Sequence, residues 1–315
     1  MHRRDWTLLL ILAAIWGSSY TFITIGLREL SPAMIVFLRV ALGAAVLIPI
    51  AWRRGALAGA GAAWAILALV AAVQVVAPFL LIAAGQQEIT SSLAGILVAS
   101  VPIFTAILAI FLDREDRSEG LRLVGVLVGI VGVALLFGVD LSGSSSLLLG
   151  GGAVVLASLG YAVGGLIVKR RLGAVQPIAV AALVLAGSTL ISAPAALASA
   201  PDAFPSAGPL AAVAALGLIG TGVAFAIFYG LIARVGPARS FIVTYLAPGF
   251  AVIYGAVLLG EAISVATLAG LALILIGSYL AAEGRIPGRR LPEPVRSPDH
   301  PAAGGLAAES ERASA

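Results

Sequence analysis

The sequence predicts an all-α polytopic membrane protein of ten transmembrane helices arranged as two inverted five-helix repeats. Three observations carry this. Ten apolar stretches have membrane-spanning length, basic residues mark every second connection, and the second half of the chain repeats the first.

Composition comes before any motif. Of the 315 residues 61% are hydrophobic and 11% charged, and mean hydropathy is +1.10, which no soluble domain of this size combines. The apolar stretches run over 6–27, 32–52, 62–84, 91–112, 121–139, 147–168, 178–198, 209–233, 240–259 and 263–282. Each crosses about 30 Å of hydrocarbon as a helix. Barrel strands would be shorter and would alternate polar with apolar residues. The first stretch is too long for a removable leader and lacks a small-residue cleavage site.

Orientation follows from charge. Arg3, Arg4, Arg53, Arg54, Arg114, Arg117, Arg122, Lys169, Arg170, Arg171, Arg234, Arg239 and the tail arginines fall on one side, and only Arg28 falls on the other. Basic residues stay in the cytoplasm during insertion, so both termini are expected there. The expected location is the cytoplasmic (inner) membrane. The pI of about 9.8 reflects topology and contact with anionic lipid, and no clustered basic surface points to nucleic acid. The sequence has no cysteine, which excludes disulfides and thiolate metal sites. Past residue 284 the chain turns rich in Arg, Pro, Gly, Ser and Glu, and 284–315 is expected to be a disordered cytoplasmic tail.

Residues 91–115 align with 237–261, which sets Pro102 on Pro248 and Glu115 on Glu261. A one-residue slip then sets Gly125 on Gly270 and Gly132 on Gly277, and Tyr20 pairs more weakly with Tyr161. The expected halves are 6–139 and 147–283. Five spans is an odd number, so the halves enter the membrane in opposite senses, as in carriers that work by alternating access.

Candidate residues lie on helix faces, where positions three or four apart meet. The first span offers Trp16, Ser19 and Tyr20, the third Gln74 and Pro78, the sixth Tyr161, the eighth Thr221, Phe225 and Tyr229, and the ninth Thr244, Tyr245 and Pro248. Aromatic surface with a few hydroxyls and amides suits an organic molecule better than a bare ion. Pro78, Pro102 and Pro248 are candidate hinges or helix breaks, because each lacks a backbone donor. Gly125, Gly129, Gly160, Gly164, Gly270 and Gly277 are expected to allow close helix contact, within a monomer or in a homodimer. Arg39 is the one cation inside a span, about 10 Å deep at 1.5 Å per residue. It has three options: snorkelling outward, pairing with Glu88, or binding a substrate carboxylate. Glu88, Glu115 and Glu261 are candidate gate or coupling groups, with capping of helix ends the simpler role for the last two.

Enzyme parts are missing. His2 and His300 lie in the termini, and neither a Gly-x-Ser-x-Gly turn nor a phosphate-binding Gly-x-x-x-x-Gly-Lys loop occurs. The acidic loop of Asp113, Glu115, Asp116 and Glu119 is the best magnesium candidate for a lipid- or glycosyl-transfer enzyme, but Arg114, Arg117 and Arg122 interrupt it. No cofactor and no metal is expected. The expected partners are a small metabolite and membrane lipid.

These residues resemble the drug/metabolite transporter superfamily in its ten-helix EamA branch. The resemblance rests on Ile15-Trp16-Gly17-Ser18-Ser19, on Ser31-Pro32 followed by Leu38-Arg39-Val40-Ala41-Leu42, and on Pro102 and Glu115 with their repeats Pro248 and Glu261. It covers roughly residues 6 to 282. It implies a carrier of small metabolites in the cytoplasmic membrane, often an exporter of amino acids. One departure stands out: Val184 lies near the position in the second half that matches Arg39.

Overall fold

A run of hydrophobic side chains in lipid leaves the backbone no water to bond, so each span closes its own hydrogen bonds as a helix. The computed structural model describes residues 2–112, 120–138 and 145–283. Glu115, the rest of the acidic loop, Asp140 and the tail 284–315 lie outside the described residues.

The helices in chain order are α1 (Arg3–Gly26), α2 (Pro32–Arg53), α3 (Ala60–Gly85), α4 (segments Ser91–Val98 and Val101–Leu112) and α5 (Leu121–Gly138). The second half supplies α6 (Ser145–Arg171), α7 (Pro177–Ala198), α8 (Ala207–Val235), α9 (Val243–Leu259) and α10 (Val265–Glu283). Eight have the length and hydropathy of membrane spans, and 121–137 and Val243–Leu259 are shorter apolar helices. There is no strand among the described residues.

Caps explain several starts. Ser31 accepts from the Met34 amide ahead of Pro32, and Thr90 accepts from the Leu93 amide. The bundle has two ends, the N-terminal face, where α1 begins, and the far face. Antiparallel neighbours meet in register, as where the Ser31 and Ser199 hydroxyls lie 2.8 Å apart between the start of α2 and the end of α7.

Glycines set the closest approaches. A Cβ on Gly125, Gly132 or Gly270 of the α5–α10 pair would collide with the partner helix, one on Gly129 would collide with Ile103 of α4, and Gly277 faces the Gly129 backbone directly. Gly160 lies against Pro78 and Gly164 against Gln74, which brings α6 onto α3. All six expected contact glycines are thus covered inside one chain.

Two irregularities recur at matching places. α3 widens into a π-helical stretch at Ala71–Val76, and α8 does so at Leu218–Val223. The fourth residue of each is polar, Gln74 in one and Thr221 in the other. Such bulges leave carbonyls short of partners, and Ser188 of α7 donates to the Ala71 carbonyl at 3.5 Å.

Prolines act unequally. Pro78 opens the regular helix after the first π stretch, where its missing N–H is tolerated. α4 is broken at Ala99–Ser100, just before Pro102. The freed carbonyls are taken up, with Ser278 donating to Ala99 at 2.6 Å and Ser158 to Leu97 at 3.3 Å. Pro248 is equally a candidate hinge or helix break, and α9 continues through it without a break. Losing one intrahelical bond bends a helix without ending it when neighbours hold both sides, and Gly17 of α1 packs directly on Ala247 and Ala251.

Candidate functional site

The site starts from Arg39. The guanidinium neither snorkels nor pairs with Glu88, which lies exposed in the connection after α3. Its Nε donates to the Thr221 hydroxyl at 3.0 Å, and its Cζ sits 3.8 Å from the centroid of Phe79. The Thr221 hydroxyl in turn donates to the Leu216 carbonyl at 3.0 Å, five residues back and just ahead of the π stretch. Its role as acceptor for Arg39 is therefore fixed.

The two anchors account for a cation in a span. A desolvated cation–π contact contributes ~2 kcal/mol and a hydrogen bond to a charged group ~1.5–3 kcal/mol. Their sum is of the same order as the ~2.5–3.5 kcal/mol cost of an arginine at a helix centre. No carboxylate pairs with Arg39 among the described residues, because Asp5, Glu29, Glu88, Asp202, Glu261 and Glu283 all sit at helix ends or in connections.

Tyr161 of α6 meets Phe79 edge to face at 6.4 Å. Tyr20 and Tyr161 both pack against one buried cluster, as does Leu38, the chain neighbour of Arg39. Tyr20, Arg39 and Tyr161 are half-buried, and none of the Arg39 Nη groups or the two phenol hydroxyls has a hydrogen-bond partner among the described residues. Five helices thus bring Tyr20, Arg39, Phe79, Tyr161 and Thr221 together.

A second aromatic group lies between α1 and α8. Trp16 meets Phe225 at 6.1 Å and Phe228 at 5.2 Å, and Phe225 stacks on Tyr229 at 6.0 Å. Thr221, Phe225 and Tyr229 continue down one face of α8, as their spacing requires. Ser19 is buried and bonds back to the Ile15 carbonyl at 3.4 Å, while Gln74 is held on Gly164. Tyr245 is separate from both groups and meets Tyr279 of α10 at 6.2 Å, with Thr244 bonded to the Phe241 carbonyl.

Glu261 lies at the far face. Its carboxylate accepts from the Ser91 amide at 2.7 Å, the Ser92 amide at 2.9 Å and the Ser92 hydroxyl at 2.5 Å, which ties the end of α9 to the start of α4. Helix N-termini present unpaired amides and favour negative charge, so a carboxylate suits this place. Gly255 leaves the room: a Cβ there would strike Ser92 Oγ and the Glu261 carboxylate. One turn deeper, Gly95 crosses Ala251.

The N-terminal face differs. The repeat register carries Gly95 to Phe241 and Ala251 to Thr105, and these two are exposed, Phe241 by 50%. There the second segment of α4 packs on α5, α6 and α10. The near end of α9 goes to α1 and α8 instead, with Val243 beside Leu9, Leu12 and Phe228.

Sequence reasoning missed three groups. Gln86, buried, donates to the Tyr20 carbonyl and to the Thr24 hydroxyl, both at 2.9 Å. Buried Asp5 meets Arg234 at 2.7 Å and joins the start of α1 to the end of α8. Glu29 accepts from the Ser206 amide and hydroxyl, both at 2.6 Å. The only signal for these lay in polar residues at the ends of spans.

Comparison with known proteins identifies the family. Residues 5–138 and again 148–282 match the EamA-like transporter family, and the chain belongs to it. YedA, an uncharacterized inner membrane transporter of Escherichia coli K12, is 28% identical over 291 residues, covering 88% of this chain and 90% of its own. An uncharacterized transporter of Archaeoglobus fulgidus is 24% identical over 90% of this chain and all (100%) of its own. A chloroplastic WAT1-related protein of Arabidopsis thaliana is 27% identical over 88% of this chain and 69% of its own. A solved crystal structure, 21% identical, covers 90% of this chain and 98% of its own with a TM-score of 0.62, a likeness of fold. This protein is therefore a membrane transporter of the drug/metabolite kind.

Proposed function

We propose that the chain is a secondary carrier of the inner membrane that exports a small organic metabolite, an amino acid or a related compound, by alternating access. The observation that carries this reading is the inequality of the two ends of the α4–α9 seam. Its far end is latched by Glu261 and packed at Gly95 and Ala251, whereas the matching residues Phe241 and Thr105 on the N-terminal face are exposed.

Inverted halves can exchange such arrangements, so that closing one end opens the other. The arginines at the start of α1 and the end of α2, and the basic run that closes α6, lie on the N-terminal face, which supports a cytoplasmic assignment for it and for both chain ends. The form described is then open to the cytoplasm, the side from which an exporter loads. The Tyr20, Arg39 and Tyr161 cluster lies between the halves, where such carriers hold their substrate.

Coupling follows from what the spans lack. No Asp, Glu or His occupies the middle of a described helix, so the substrate's own gradient drives export without a titrating relay. The test is counterflow of labelled amino acids and related metabolites in sealed vesicles without ionic gradients. Exchange of unaltered substrate is expected. Chemical conversion of the substrate, or uphill accumulation only under an imposed pH gradient, overturns the reading.

A further inference from the structure

We infer that the cluster of Arg39, Tyr20 and Tyr161 is a subsite for the carboxylate of an organic anion that carries an aromatic or large apolar body. This rests on the carrier reading and narrows its substrate from amino acids to related carboxylates without the ammonium.

The chemistry of the donors decides it. The Thr221 acceptor takes Nε and the Phe79 ring covers one side of the guanidinium, which fixes the plane of the fork and leaves the Nη groups to a ligand. A planar fork of this kind matches a carboxylate with two parallel hydrogen bonds. The Tyr161 ring meets the same Phe79 that covers the guanidinium, Tyr20 packs on the same buried cluster as Tyr161, and the two phenols add donors without described partners. A guanidinium and two phenols in one cluster, with no described carboxylate among them, attract an oxyanion and repel an ammonium. A zwitterionic amino acid would bring its ammonium to the same place without a counter-charge.

The body of the ligand has a matching surface. Phe79 and Tyr161 form one aromatic wall, and the face of α8 leads from Thr221 through Phe225 towards Trp16. Apolar walls around a few placed polar groups are the usual form of a small-molecule site.

The test uses three probes with one phenyl body: 3-phenylpropionate, L-phenylalanine and 2-phenylethylamine. Their binding to the full chain in lipid nanodiscs is measured by calorimetry at neutral pH, beside their counterflow in vesicles. The expected order is propionate first, phenylalanine weaker and the amine absent. Arg39→Gln should weaken propionate binding about tenfold to a hundredfold, the range for a hydrogen bond to a charged group. Arg39→Lys, which keeps the charge without the fork, and Thr221→Val, which frees Nε, should each weaken it several-fold. These two keep the test decisive if Arg39→Gln does not fold.

No binding of 3-phenylpropionate, equal binding of the amine, or propionate binding unchanged in the folded variants overturns the anion site. Counterflow of phenylalanine or the amine that is indifferent to Arg39 overturns it too, and leaves the carrier reading intact. Arg39-dependent binding of propionate with no flux of any probe has the opposite meaning: the subsite stands and the carrier reading falls.

Discussion

Replacing Glu261 by glutamine should open the far face. The carboxylate takes the Ser91 amide on one oxygen and the Ser92 amide and hydroxyl on the other. Glutamine keeps one acceptor oxygen, and its NH₂ then confronts a donor on the α4 terminus. One charge-assisted hydrogen bond is lost, ~1.5–3 kcal/mol, together with the helix-terminus attraction of ~0.3–1 kcal/mol. Glu261 is half-buried, so water recovers part of this, and ~2 kcal/mol is the working figure. That is about thirtyfold in the closing equilibrium. The assay is hydrogen exchange at the Ser91 and Ser92 amides, which lack intrahelical acceptors and are protected by Glu261. Glu261→Gln should speed their exchange about thirtyfold with the rest of α4 unchanged. Gly255→Ala, whose new methyl would strike both Ser92 Oγ and the carboxylate, should act alike without removing charge. Unchanged exchange in both folded variants would refute the latch.

Gly277→Leu should drive α5 from α10, because Gly277 faces the Gly129 backbone; the loss should reach or exceed the upper end of ~1–3 kcal/mol for overpacking, whereas Gly152→Leu, with open space before it, should leave the melting temperature unchanged. Hydrogen bonds from Ser206 hold the Glu29 carboxyl below its ordinary range, so this tie contributes above the unfolded carboxyl's pKa and is lost as pH falls through the lowered folded value; exchange at the Ser206 amide should accelerate only in that acid window, and Glu29→Gln should abolish the pH dependence. Reporters fused after Arg54, Arg171 and Arg239 should read cytoplasm and those at Asp202 and Glu261 the outside; residues 239 and 261 on one side would contradict the topology.

Helices and their order were legible because length and hydropathy alone decide them in lipid. Chemical character was legible too: Thr221, Phe225 and Tyr229 do share a face, and the glycines do mark the α5–α10 contact. Partnership was not. The three options for Arg39 could not be separated in one dimension, because Phe79 and Thr221 reach it from α3 and α8. The π stretches were hidden for a related reason. Ala71–Val76 and Leu218–Val223 are ordinary apolar sequence, and only the packing of neighbours selects the wider turn. Pro102 and Pro248 look alike in the sequence yet one lies beside a break and the other does not. The hydroxyls that donate to the carbonyls at the break, on Ser158 and Ser278, come from distant helices.

Alternating access is the central claim, and the absence of cysteine makes it directly measurable. Spin labels at Thr90 and Ile263 report the far end of the α4–α9 seam, and labels at Thr105 and Arg239 report the N-terminal end, all four positions being exposed. Distances are recorded by pulsed dipolar spectroscopy in lipid, with Glu261 intact and with Glu261→Gln. The account predicts a short far-face distance and a long N-terminal one in the intact protein, and a reciprocal shift when the latch is removed. Both ends lengthening together, or the N-terminal distance staying fixed while the far face opens, would contradict it.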